Sequence, residues 1–376
     1  MKMSVRISYT KQFFMMIIFL LIIILGIEGL ARIQEYFDPN NCRLVNNEVY
    51  RNTNYFHVRQ ICTDLTELWF EERPFLLLKP VQHYPTININ SYGFRGPEIN
   101  PEKPEDTFRI LVVGGSTTFG HGSQSDDTTI PGFLQKKFNE IEIGMNIEII
   151  NAGVPSADSA RESHYIKNEL LKFDPDLFII YDGTNDAYMR RLDLETKLAH
   201  EEIWLKKNEE ISGFAFKNFP FYRTPFVIHK LLFTNYQDDG IAGDNPFNVD
   251  DTPKIISSWK NNWYEICELG NKKGYSTIIT VQPIIGFGKK NLTKYEQKWT
   301  PNTPWELEGI RVLNGLSDSL DNLDIVCDKT ADLRNIFENV SEPVYIDRAH
   351  MDKFGNEIVA NKLFEIVLPI VINKTQ

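Results

Sequence analysis

The chain has 376 residues, enough for one large buried core or two average domains. Lysine plus arginine number 40 and aspartate plus glutamate 51, a formal charge of −11. Such a chain repels phosphate backbones unless its basic residues cluster, and no basic stripe with interleaved aromatics is present, so nucleic acid is excluded as a partner.

The first element in chain order is apolar. Phe13 to Ile27 is unbroken apart from Gly26, with Lys2, Arg6 and Lys11 before it. Extended to Ala31 it holds 19 residues, about 28 Å of helix, close to the roughly 30 Å hydrocarbon core of a bilayer. Glu28 must then sit at the far headgroup level. Positive charge before the run, and Glu35 and Asp38 beyond it, predict the N-terminus inside and the bulk of the chain outside. Gly29-Leu30-Ala31 is also a small-x-small site, so residues 1–32 read either as a membrane anchor or as a cleaved signal segment. Both readings export the remainder, and in an exported chain the four cysteines can pair. Cys42 and Cys62, close together after the apolar run, are the first expected pair; Cys267 and Cys327 are left open between a bridge and buried thiols. No spacing resembles a metal site, and no cofactor is expected.

Residues 33–106 read as an irregular preface that ends in the proline-rich stretch Asn100-Pro101-Glu102-Lys103-Pro104. From Phe108 short apolar runs alternate with longer amphipathic segments, the texture of β-α units around a parallel sheet. Strands are expected at Arg109–Val113, Ile147–Asn151, Leu177–Tyr181, Thr277–Val281 and Asp324–Cys327. Helices are expected near 128–140, 159–172, 255–273, 304–320 and 353–368. Two insertions break the rhythm of this 107–371 domain, at 187–254 and 284–303. The first carries an aromatic-rich patch from Phe214 to Phe233, read as a small cap with its own core or as a substrate or membrane-facing wall.

Ligands in open α/β sheets bind beyond the carboxyl ends of the strands, so residues that follow strands are informative. After the first comes Gly114-Gly115-Ser116-Thr117-Thr118-Phe119-Gly120. Taken alone this is an ordinary β-α turn, with Ser or Thr as helix cap. It lacks the Gly-Lys-Ser/Thr of a P-loop, the Gly-x-Gly-x-x-Gly of a dinucleotide site and the last glycine of a Gly-x-Ser-x-Gly elbow. After the second strand comes Ala152-Gly153-Val154, where a glycine lets a substrate approach bare backbone. After the third comes Asp182-Gly183-Thr184-Asn185-Asp186, whose side-chain amide can donate into an oxyanion hole; its bland reading is an Asn/Asp/Gly turn. Near the C-terminus stands Asp347-Arg348-Ala349-His350. A hydroxyl is a weak nucleophile until an imidazole takes its proton, and a carboxylate should fix that imidazole's tautomer. Of seven histidines only His350 has Asp three positions before it. His121, just after the serine turn, is a candidate pocket residue; His57, His83, His164, His200 and His229 default to surface or packed roles.

Each block is weak alone, but the four in order resemble the SGNH hydrolase family, the GDSL-like lipases and esterases, over residues 107–370. Gly114-Gly115-Ser116-Thr117 stands where the family has Gly-Asp-Ser, with Gly115 in place of the aspartate. Gly153 matches the second block, Gly183-Thr184-Asn185-Asp186 the third and Asp347-Arg348-Ala349-His350 the last. The resemblance implies a three-layer α/β/α, flavodoxin-like fold and hydrolysis through an acyl-enzyme. It implies Ser116 as nucleophile, His350 as general base and acid, and Asp347 as its orienting carboxylate. The Ser116 and Gly153 amides and the Asn185 side chain become oxyanion donors. Asn90-Ser91-Tyr92-Gly93-Phe94-Arg95-Gly96 is similar to a lead-in of exported members with an N-terminal membrane segment, which makes the preface an integral flap. The expected substrate is an ester-bearing carbohydrate or lipid. Acyl transfer to a sugar hydroxyl by the same residues and ligand binding on an inactive scaffold remain alternatives; oligomeric state is open.

Overall fold

The computed structural model describes residues 8–37, 44–45, 47–72, 76–189 and 251–375. The patch from Phe214 to Phe233 lies outside the described residues, as do Cys42, His200 and His229.

Helix Tyr9–Phe37 contains the stretch Tyr9–Leu30, 22 residues or about 33 Å. It is the one described stretch long and apolar enough to cross a bilayer. Glu28 pairs with Arg32 one turn on, at 3.0 Å. This helix belongs to a compact unit separate from the one that holds the sheet.

The preface is more ordered than its pattern suggests. Asn54 caps helix Tyr55–Glu67 by accepting from the Phe56 amide. Two antiparallel pairs follow, β1 (Phe70–Glu72) with β2 (Leu76–Leu78) and β3 (Gln82–His83) with β4 (Asn88–Ile89). The helix buries Val58, Ile61 and Cys62 on one face together with a polar residue, Asp64, which accepts from the amide and hydroxyl of Thr86 at 2.8 and 2.6 Å. Val58, Ile61, Cys62 and Leu65 stand at the i, i+3, i+4, i+7 spacing of an amphipathic helix, a signal that the reading of 33–106 as irregular passed over.

The main sheet has five parallel strands, β5 (Thr107–Gly114), β6 (Asn146–Gly153), β7 (Leu177–Asp182), β8 (Ser276–Val281) and β9 (Lys329–Asp332), in the order β6-β5-β7-β8-β9. This is the flavodoxin-like order, second-first-third-fourth-fifth, and it leaves a crevice between β5 and β7 where the strand order reverses. Every residue of β5, β7 and β8 is buried, as parallel strands covered on both faces require. On one face lie helices Ser159–Asn168, Thr252–Lys273 and Pro304–Asp318, with Trp259 and Trp263 fully buried among them. On the other lie Ile130–Asn139 and Lys353–Thr375. Burial of large apolar side chains such as these contributes about 1.5–3 kcal/mol apiece. The result is a three-layer α/β/α domain.

The last strand is a correction: Asp324–Cys327 is not a strand, and the pairing falls to Lys329–Asp332. Residues of the stretch that suggested it serve other ends. Cys327 is bridged to Cys267 (Cα–Cα 4.9 Å), and the carboxylate of Asp324 accepts from the amide and hydroxyl of Thr330. The true edge strand, Lys-Thr-Ala-Asp, carries no apolar signal. Cys62 is also disulfide-bonded.

Candidate active site

Because the five strands are parallel, their carboxyl ends share one edge, and Ser116 and Asn185 flank the crevice between β5 and β7. After Gly114 the chain turns at Gly115 into the short helix Ser116–Phe119. A Cβ at Gly115 would collide with the side-chain amide of Asn185, so the glycine that stands where an aspartate was anticipated goes with the position of that amide. The helix has no side-chain cap. The Ser116 hydroxyl is therefore not spent on the turn; it lies 2.7 Å from Nε2 of His350.

His350 and Asp347 arrive from a tight loop before helix Lys353–Thr375. The loop is closed by the Ile346 amide donating to the His350 carbonyl at 2.8 Å and by a bridge between Tyr345 and Met351. Nδ1 of His350 lies 2.7 Å from Oδ2 of Asp347, while Oδ1 accepts from the amides of Ala349 and His350 at 2.9 and 2.8 Å. Burial alone would raise the Asp347 carboxyl. The adjacent imidazole and these hydrogen bonds outweigh it and hold the group well below the usual carboxylate range. Asp347 is ionised at neutral pH, able to fix the imidazole tautomer that leaves Nε2 to accept from Ser116.

Three distant segments hold this loop. Asn47, buried in the preface, donates to the Ile346 carbonyl at 2.8 Å. Glu296, in the 284–303 insertion, accepts from the Val344 and Tyr345 amides at 3.0 and 3.2 Å and pairs with Lys290 at 3.0 Å. Arg348 turns away from the serine to pair with Glu306. The ring of His121 packs against that of His350, centroids 4.5 Å apart.

The hydrogen-bond donors on the neighbouring turns differ in part from expectation. Asn185 gives one N–H of its amide to the Ala157 carbonyl at 2.5 Å; a side-chain amide has two, and the second is unused among the described residues. The Ser116 amide opens its helix and has no acceptor there either. Gly153 is corrected. Its amide donates to Oδ1 of Asn151 at 3.0 Å and is thereby committed. What the glycine provides is close packing, since a Cβ there would strike the backbone of Phe119. Among the described residues the Ser156 amide has no acceptor. It stands third in a turn closed by Ala157 N donating to Val154 O at 3.0 Å, with φ +67°. Proline second and a left-handed third residue are the pattern of a type II turn. Pro155-Ser156 was the available signal, and serine in place of the usual glycine hid it.

No family model and no curated protein matches the chain. Solved structures do. An acetyl xylan esterase is 14% identical, with 69% of this chain and 100% of the other covered and a TM-score of 0.39. An acetylxylan esterase from Geobacillus stearothermophilus is 10% identical over 69% and 93%, TM-score 0.39. A lipase/acylhydrolase from Enterococcus faecalis is 12% identical over 69% and 95%, TM-score 0.39. The likeness is weak in both measures, and the geometry above stands independently of it.

Proposed function

We propose that the chain is a serine ester hydrolase of the SGNH type that works through an acyl-enzyme. The observation that carries this reading is the relay Ser116 Oγ···Nε2 His350 Nδ1···Oδ2 Asp347, with 2.7 Å at each contact. His350 takes the serine proton as Oγ attacks the ester carbonyl. The negative oxygen is met by the Ser116 amide, the free N–H of Asn185 and the Ser156 amide, which replaces Gly153 in that role. The proton passes to the departing alcohol, and water repeats the sequence to release the acid. An ester-bearing carbohydrate or lipid is the substrate class this reading carries.

Asn185→Ala tests it. Loss of one oxyanion donor is expected to lower kcat by about 10²–10³ with little change in KM, because the second N–H is needed only once the carbonyl oxygen is charged. Steady-state hydrolysis of p-nitrophenyl acetate gives both constants. A change confined to KM would assign Asn185 to substrate binding instead.

The apolar stretch Tyr9–Leu30 supports a further part of the proposal: the hydrolase is tethered to a membrane and works outside the cytoplasm. The protein should remain in membranes through an alkaline carbonate wash with its N-terminus intact by mass spectrometry. A mature chain beginning at Arg32 would replace the tether by a cleaved signal.

A further inference from the structure

Arg95 is fully buried in the lead-in segment and does not approach the relay, yet its guanidinium holds the far end of the nucleophile's helix. Nη1 donates to the carbonyls of Phe119 and Gly120 at 3.2 and 2.8 Å. Nη2 donates to the Thr86 carbonyl at 3.0 Å, Nε pairs with Asp126 at 2.8 Å, and the group stacks 4.9 Å from the Phe119 ring. The backbone of Arg95 also bridges Ile89 on one side and Asn151 on the other, which joins β4 to the edge of the sheet.

A helix of one turn cannot hold itself, since its nucleation cost is hardly offset by the one or two hydrogen bonds it closes. Here the amides of Gly120 and His121 both donate to the Ser116 carbonyl, at 3.0 and 2.9 Å. Those amides are placed by the peptide units that Arg95 grips. A second donor, Nδ2 of Asn151, meets the Phe119 carbonyl at 3.3 Å, the same Asn151 that engages the Gly153 amide.

We propose that Arg95 is a positioning residue for Ser116: by clamping the carbonyls of Phe119 and Gly120 against Asp126, it fixes the one-turn helix so that the serine oxygen meets His350. This rests on the hydrolase reading above. The planar fork is essential to it, because four acceptors on three segments surround one cation; lysine keeps the charge but offers a single point with three donors.

The probe is a fluorophosphonate ester. The Ser116 oxygen attacks phosphorus, a phosphorus–oxygen bond forms, fluoride departs and the serine proton goes to His350. The rate of this step is to be measured for wild type, Arg95→Lys and Asp126→Asn, beside Leu363→Ala, a core truncation on helix Lys353–Thr375 chosen to match their loss of melting temperature. Leu363→Ala should react at the wild-type rate. Arg95→Lys should react about 10²-fold more slowly, the cost of misplacing a reacting atom by about 1 Å, with kcat falling in parallel and KM little changed. Asp126→Asn, which leaves the guanidinium but removes the charge that anchors it, should fall between and serves if Arg95→Lys does not fold. A folded Arg95→Lys, or in its absence Asp126→Asn, that reacts as fast as Leu363→Ala overturns the proposal. A wild-type protein that does not react sinks the hydrolase reading itself, and the proposal with it.

Discussion

Replacing Ser116 by alanine is expected to lower kcat for ester hydrolysis by about 10⁶, the scale on which serine hydrolases lose their nucleophile, while the melting temperature stays within about 2 °C of wild type. The two halves of this expectation come from one observation. A serine at the start of a helix ordinarily caps it, and its loss then costs about 1 kcal/mol. Here the helix begins after Gly115 with no side-chain cap, and the hydroxyl's partner is His350. Removing it leaves the turn intact and the relay without its first atom. Hydrolysis of p-nitrophenyl acetate and thermal melting are to be read together. Activity within tenfold of wild type would remove Ser116 from the chemistry; loss of activity with a collapsed melting temperature would make it a structural residue.

The second large effect concerns the carboxylate. Asp347→Asn should lower kcat by about 10⁴, as the equivalent change does in a serine protease triad. Asparagine can still accept at its side-chain oxygen, but its amide can donate to Nδ1 and present the wrong tautomer to Ser116. General-base action needs a neutral imidazole, so turnover of the wild type should fall in acid, and Asp347, whose carboxyl is held far below the neutral range, should not set that fall. The same depression bears on stability. A carboxyl lowered by folding contributes fully above the unfolded carboxylate range, and the contribution is lost as pH falls through its native value. Acid destabilisation should therefore be shallower in Asp347→Asn. pH–rate profiles and melting curves of the two proteins check both statements; a wild-type rate flat from about pH 5 to 9, across the range in which a histidine changes charge, would contradict the assignment.

How far the sequence could be read depended on the kind of signal each part carries. The strands β5, β7 and β8 were legible because doubly covered parallel strands are continuous apolar runs, and Ser116, Asn185 and Asp347–His350 stood out as candidates at strand ends and in one loop, with their roles implied by the family resemblance. The edge strand Lys329–Asp332 was not legible, since half-exposed polar residues give no period and Cys327 nearby mimicked one. Gly153 misled for a different reason: a glycine at a strand end serves substrate access and backbone packing equally well. Only the committed hydrogen bond to Asn151 separates them. Asn47 and Glu296 could not be found by pattern at all, and Arg95, although it stands inside the lead-in motif 90–96, carried no sign of its grip on the Ser116 helix. Asn47 reaches Ile346 across 299 residues of chain, a distance that only the fold closes.

Peptide mass spectrometry after exposure to a fluorophosphonate tests whether Ser116 is an activated nucleophile. One adduct per chain, on Ser116, is expected in the wild type, and its formation should be abolished in Ser116→Ala and strongly slowed in His350→Ala. An adduct on another residue, no adduct at all, or equally fast labelling of His350→Ala would contradict it.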